Sequence, residues 1–309
     1  MRFVYYGSSQ FSEIVLRGII NYGVVPELVV TTPDKPQGRG LKIKPTPVKQ
    51  FASCNNIRVL TPFSLKEESF IKKIKSLDVD LFIIVSYGNF IPSSLLILPR
   101  IMPIAVHPSL LPCYRGAAPI NWAIIRGEQT TGVSIFKVSE KIDAGPLIIQ
   151  RPLDIKDSDD ALTLSYRLAN LSIELLLRAV LSIEKNDYRL ILQDESKVSF
   201  APKLRKEDGR IKWERDAISI RNLVRGLRPW PEAFTFYKDT LVKILDVEVI
   251  HDYSSFEPGT IIKIEKSALF VTTGEGIIKI KRIKPQGKRE MEVRDFLCGH
   301  QIKEGEKFS

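Results

Sequence analysis

The sequence predicts an α/β protein: a doubly wound parallel-sheet domain followed by a small antiparallel β-barrel of the OB kind. Three observations carry that expectation. Residues 2–6 read as a buried strand and pass through Gly7-Ser8-Ser9 into a helical stripe of Phe11, Ile14, Val15 and Ile19. Strand, glycine turn and helix in that order are how such a fold begins. The run at 79–85, apolar apart from Asp80, suits a strand covered on both faces. Finally, the last third of the chain holds five short strand-like runs separated by turns, at 233–237, 241–249, 259–264, 268–272 and 277–283.

Taken in order, the first helix stops at Gly23, and 28–32 forms a second strand. Pro33-Asp34-Lys35-Pro36-Gln37-Gly38-Arg39-Gly40 is too rich in proline and glycine for regular structure. Residues 57–60 form a short strand. Ser64 and Glu67 have capping-box spacing and open a helix through Leu77. The strand at 79–85 ends in Ser86-Tyr87-Gly88-Asn89, and the apolar run at 101–106 ends at His107-Pro108. Pro119 suits the first turn of a helix that Gly127 stops. A strand follows at 133–138, and Asp143-Ala144-Gly145 turns the chain. The longest helix runs from Ser158 to about Lys185, and 193–197 (QDESK) marks an exposed connector. These limits divide the chain into a domain at 1–187, a linker at 188–208 and a second domain at 209–309.

Hydrophobic content of 44% and charged content of 27% are ordinary for a globular chain, so a core of normal size needs no disulfides. The three cysteines, Cys54, Cys113 and Cys298, are far apart and match no zinc or CxxC spacing, which points to a reducing cytoplasm and to no metal. No apolar run reaches the roughly 20 residues of a membrane span, and the first residues read as a strand rather than a leader. There is no G-x-G-x-x-G and no G-x-x-x-x-G-K-[ST], which disfavours dinucleotide binding and nucleotide hydrolysis. Net charge is +10, and 35–49 and 279–289 are basic with no acidic residue inside them. Clusters free of counter-charge suit a polyanionic partner.

The chemistry concentrates between Pro103 and Pro146. His107 closes one strand, Ser109-Leu110-Leu111-Pro112 makes a rigid apolar loop, and Asp143 follows a second strand. In an open α/β sheet such strand ends gather around one crevice. A carboxylate beside an imidazole fixes its tautomer and stabilises the protonated ring, as general acid–base chemistry needs. Composition alone leaves the pair open, because a lone histidine before proline is more often a surface or hydrogen-bonded residue.

The motifs H-P-S-L-L-P, R-G (Arg115-Gly116) and D-A-G resemble the catalytic segment of the formyltransferases that use 10-formyltetrahydrofolate, and the resemblance runs essentially end to end. It implies a Rossmann-like formyltransferase domain carrying a barrel. His107 and Asp143 would be catalytic, and Ser109, Leu110, Leu111 and Pro112 would bind the folate co-substrate. The P-D-x-P-x-G-R-G loop resembles the tRNA-inserting loop of tRNA-formylating members, with Arg39 at the contact. The implied acceptor is initiator methionyl-tRNA, and a monomer is expected. One position departs: the family's Asn two residues before the histidine is Ala105 here. Asn89 is the best substitute donor and Asn121 a poorer one. Two other readings stay open: a sugar-nucleotide amine formyltransferase, and a catalytically silent tRNA-binding homologue.

Overall fold

The computed structural model describes residues 1–37, 40 and 42–309. The chain forms two compact units. The first comprises Met1–Pro119, Thr130–Asp154 and Ser165–Pro202; the second comprises Ile120–Gln129, Ile155–Leu164 and Lys203–Ser309.

In chain order, β1 (Phe3–Gly7) leads into α1 (Gln10–Asn21), which starts where the Ser9 hydroxyl accepts the Ser12 N–H. After β2 (Leu28–Val30) comes a ribbon of β3 (Lys35–Gln37) and β4 (Lys42–Lys44), then α2 (Pro47–Cys54). The ribbon corrects the expectation of irregular structure at 33–40. A two-stranded ribbon has free edges, and Pro36, paired with Ile43, can turn its missing donor outward. Helix α2 was not foreseen either: Thr46 caps it and Pro47 sits in its first turn, so a proline that reads as a breaker is a starter.

Then follow β5 (Val59–Leu60), α3 (Glu68–Lys75), β6 (Leu81–Val85), α4 (Ser93–Leu96) and β7 (Met102–His107). The Ser64–Glu67 pair does bond, with the Ser64 N–H donating to Glu67 Oε1 at 3.2 Å. It closes the turn before α3, however, and the helix starts only at Glu68. Next come β8 (Arg115–Gly116), α5 (Pro119–Ile125), β9 (Thr130–Lys137), β10 (Leu147–Asp154) and α6 (Ala161–Glu184). Helix α6 starts at Ala161 rather than Ser158 because Asp160 Oδ1 accepts the N–H groups of Leu162 and Thr163.

The seven-stranded sheet of the first unit runs β10-β9-β7-β6-β1-β2-β5. The five strands from β7 to β5 are parallel, and β9 and β10 are antiparallel additions. From β1 the chain goes to β2 on one side and later to β6 on the other, so the order reverses there. Gly7, Val85 and Val106 are level across β1, β6 and β7. His107 therefore stands at the carboxyl ends of the strands, two strands from the reversal, and it is outside such strand ends that open α/β sheets bind ligands.

The remaining elements are β11 (Phe200–Ala201), α7 (Ala217–Gly226), β12 (Ala233–Tyr237), β13 (Thr240–Ile250), β14 (Ile261–Glu265), β15 (Ala268–Thr272), β16 (Ile277–Pro285), β17 (Met291–Glu292) and α8 (Val293–Gly299). The five expected strands of the second unit pair in the order β12-β13-β16-β15-β14. Its closing piece was not foreseen. The final residues bridge both edge strands, Phe308 to Tyr237 and Lys307 to Thr260, which leaves neither edge bare. Phe308 is buried and stacks on Trp213, so a polar-looking tail carries a core residue.

Folding also supplies the counter-charges that the basic run at 279–289 lacks in sequence. Lys281 pairs with Glu248 across the sheet at 2.8 Å, Arg282 with Glu290 at 2.7 Å, and Lys284 with Glu232 at 3.4 Å. In the other basic run Lys49 pairs with Asp34 at 2.8 Å. Among the described residues, no helix is long and apolar enough to cross a membrane.

Candidate active site

His107 ends β7 and is only 6% exposed. Its Nε2 lies 2.9 Å from the carbonyl oxygen of Tyr114. A carbonyl only accepts, so in this arrangement Nε2 carries the ring proton. The other nitrogen, Nδ1, faces Oδ2 of Asp143 at 3.6 Å. The same Oδ2 accepts the Gly116 N–H at 2.8 Å. Imidazole and carboxylate are thus brought together from β7 and from the loop after β9.

The backbone around the pair is conformationally demanding. Asp143 has φ 51°, Tyr114 φ 62° and Ser86 φ 44°, all left-handed. Such residues cost on the order of 1–3 kcal/mol each and persist only where their surroundings enforce them. Gly116 enforces one constraint: its φ is 125°, and an added Cβ would lie 2.6 Å from the Ala201 carbonyl oxygen. Only glycine lets β8 lie against β11 there.

The Ser109–Pro112 segment follows His107 directly, and its backbone is tied to neighbouring side chains. The Leu111 N–H donates to Ser134 Oγ at 3.1 Å, and the Leu111 carbonyl accepts from Gln150 Nε2 at 2.8 Å. Ser134 in turn donates to the Ser109 carbonyl at 2.6 Å, and the Ser109 hydroxyl to the Cys113 carbonyl at 2.6 Å. Ser109 and Leu111 are buried, whereas Leu110 and Pro112 are half-buried. The loop is rigid because its neighbours tie it down, and Leu110 and Pro112 are the members that keep exposed surface.

Ala105 shares the His107 face of β7, because alternate strand residues point the same way. It is 8% exposed and packs with Leu111, Phe136 and Leu147. Asn89 is exposed in the loop after β6. The buried Tyr87 hydroxyl is pushed up to about 12 by its burial; the Asn89 side chain beside it opposes that shift without reaching hydrogen-bond geometry. Asn121 is engaged within the second unit, where its amide donates to the Gly226 carbonyl at 2.8 Å. Arg39 lies outside the described residues. Among the described residues, no group of three or more His, Cys, Asp or Glu is placed to hold a metal.

Sequence reasoning missed the role of the segment at 191–201, which it places within the linker at 188–208. Leu147 and Ile191 exchange backbone hydrogen bonds of 2.7 and 2.9 Å, and Phe200–Ala201 pairs in parallel with Arg115–Gly116. Gln193 and Glu195 hold the buried Arg115 side chain. The available signal was Arg115, which is hard to bury in an R-G turn without carboxylate or amide partners.

The fold defines a doubly wound α/β protein joined to a small antiparallel β unit, with a histidine–carboxylate pair at the strand ends. Residues 2–180 match the formyl transferase model, and residues 203–301 match the model of the formyl transferase C-terminal domain. The chain belongs to the formyl transferase family. It is 39% identical over 306 residues to the methionyl-tRNA formyltransferase of Caldanaerobacter subterraneus subsp. tengcongensis, covering 99% of both chains. It is 40% identical over 305 residues to that of Alkaliphilus oremlandii, covering 99% of this chain and 98% of the relative.

Among solved structures, the sugar 3N-formyl transferase WlaRD superposes with a TM-score of 0.68 at 16% identity, over 94% of this chain and 99% of that one. HypX from Aquifex aeolicus in complex with tetrahydrofolic acid gives a TM-score of 0.63 at 18% identity, over 96% of this chain and 47% of that one. This chain therefore spans about half of HypX. At such identities these two structures share the fold.

Proposed function

We propose that this protein transfers the formyl group of 10-formyltetrahydrofolate to the amino group of initiator methionyl-tRNA. The observation that carries this reading is full-length identity of 39–40% to relatives named methionyl-tRNA formyltransferase, against 16–18% for the sugar formyltransferase and HypX structures. The reaction is acyl transfer: the neutral amine attacks the formyl carbon, and a tetrahedral intermediate expels the folate nitrogen. The amine loses a proton and the leaving nitrogen gains one. His107 carries that proton through Nδ1, the nitrogen not held by the Tyr114 carbonyl. Asp143 sets the ring and stabilises its charged form. Leu110 and Pro112 offer the apolar face of the folate subsite, braced by Ser109 and Leu111.

Domain limits of 1–187 and 209–309, a monomeric state and a cytoplasmic location belong to the same reading. Formylation of methionyl-tRNA with 10-formyltetrahydrofolate, comparing wild type with His107→Ala, tests it. Wild-type turnover that the substitution abolishes supports it. Formylation of an amino-sugar nucleotide instead would favour the sugar reading, and tRNA binding without turnover the silent one.

Arg39→Ala is expected to weaken use of methionyl-tRNA while leaving folate binding unchanged. One planar, multi-donor contact to nucleic acid is worth roughly 1–3 kcal/mol, and one fewer phosphate contact lowers the salt slope by about 1. Kinetics with the tRNA that stay unchanged across a salt series would refute the role.

Separating the halves is expected to leave a folate-binding fragment that formylates tRNA poorly, because residues 203–309 would supply tRNA-binding surface. The cut belongs after Pro202 rather than near Ser196, since Ser199 and Phe200–Ala201 are bonded to the site loop. Fragments 1–202 and 1–196 compared by folate titration test this. Equal folate affinity would show that 197–202 is dispensable, and full tRNA activity at low substrate would show the same of residues 203–309.

A further inference from the structure

We propose that Gln193 is a positioning residue for the proton-transfer pair, set in place by Arg115 and acting through the backbone of Asp143. The inference rests on the proposed formyl transfer only for its kinetic consequence. Its geometric content stands apart from the reaction.

Gln193 presents two opposite faces. Its Oε1 accepts from Arg115 Nε at 3.1 Å and Nη2 at 2.7 Å. Its Nε2 donates to the carbonyl of Asp143 at 2.9 Å and to the carbonyl of Gly145 at 2.7 Å. Chemistry alone fixes this orientation. A guanidinium only donates and carbonyls only accept, so a flipped amide would set donor against donor and acceptor against acceptor. The carboxamide head turns the donors of Arg115 into donors aimed at the turn that carries Asp143. Glu195 completes the arrangement, its carboxylate taking Nη1 at 3.2 Å and Nη2 at 2.7 Å.

What Gln193 grips explains the consequence. Asp143 holds a left-handed φ of 51°. Gly145 lies so close to Lys137 that an added Cβ would come within 1.8 Å of its carbonyl oxygen. Between these residues the turn has little slack, and the direction of the Asp143 carboxylate follows the placement of its backbone. That carboxylate reaches both the Gly116 N–H and His107 Nδ1. The same strap holds the other side of the imidazole, because the Tyr114 N–H donates to Ser199 Oγ at 2.9 Å while the Tyr114 carbonyl meets Nε2. Residues 193–199 thus brace both contacts of His107 without touching the ring.

The test uses the full chain with Gln193→Ala and Gln193→Glu. Glutamate keeps the size and the bond to Arg115 but offers the two carbonyls no hydrogen. Both variants are expected to lose roughly 10- to 100-fold in kcat, the scale of a misplacement of about 1 Å, with little change in KM for either substrate. In an Asp143→Asn background either substitution should add little, because its effect passes through Asp143. Amide exchange supplies the readout that needs no activity. The Gly116 N–H should exchange at least about tenfold faster in both variants. The Arg115 and Ala117 N–H groups, held by the carbonyls of Ser199 and Ala201, should not change. Full rescue by Gln193→Glu, effects that multiply with Asp143→Asn, or unchanged Gly116 exchange would each overturn the proposal. Faster Gly116 exchange in a protein that formylates no tRNA would instead support the positioning role and reject the proposed reaction.

Discussion

Asp143→Asn is expected to fold normally and to lose roughly 10²–10⁴-fold in kcat for formyl transfer, the usual contribution of general acid–base catalysis. The substitution is clean for a geometric reason. The Asp143 oxygen that faces His107 also accepts the Gly116 N–H at 2.8 Å. An asparagine must therefore place its oxygen there, since its amide nitrogen would set donor against donor. The hydrogen bond survives and only the negative charge goes. Asparagine also tolerates the left-handed φ of 51° as well as aspartate does. Thermal unfolding within a few degrees of wild type, with steady-state kinetics on methionyl-tRNA, checks both halves. A variant that keeps the wild-type rate and pH profile would reduce Asp143 to a turn residue.

What the sequence disclosed, and what it hid, follows from where each signal resides. The strand at 79–85, the helix after Ser9 and the five strands of the second unit were legible because apolar spacing is a local property. His107, Ser109–Pro112 and Asp143 could be named from motifs, and the structure sets His107 and Asp143 face to face. The missed parts are those whose role is defined only by a distant partner. Strand β10 contains Pro152, which discourages a strand reading, yet as the outermost strand of its sheet it needs no complete ladder. Phe308 lies in a polar tail, and Gln193 in a run of polar residues. Each is explained by neighbours tens of residues away, Trp213 and Tyr237 for the first, Arg115 and Asp143 for the second. The counter-charges of the basic run at 279–289 were hidden for the same reason, since Glu232 and Glu248 reach it only across the folded sheet.

Ala105→Asn is expected to raise turnover by as much as about 10²–10³-fold, the value of one side-chain donor to the oxyanion of a tetrahedral intermediate. Position 105 stands two residues before His107 on the same strand face, so a carboxamide there would reach the atoms that His107 serves, whereas a methyl group donates nothing. The gain should fall in kcat, with folate and tRNA affinity little changed, because the donor acts on charge that develops only during the reaction. It has a structural cost. Ala105 packs with Leu111, Phe136 and Leu147, and a carboxamide left without partners there would destabilise the fold by about 1–3 kcal/mol. Higher activity with a lower melting temperature is therefore the expected signature. Asn89→Ala separates the remaining cases. Asn121 is already bonded to Gly226, which leaves Asn89 as the side-chain amide near the strand ends with freedom to turn. If Ala105→Asn is neutral while Asn89→Ala costs 10²-fold or more, the donor has moved to the loop after β6. If wild type turns over briskly and neither change alters kcat, no side-chain amide stabilises the oxyanion, and the role assigned to position 105 is wrong.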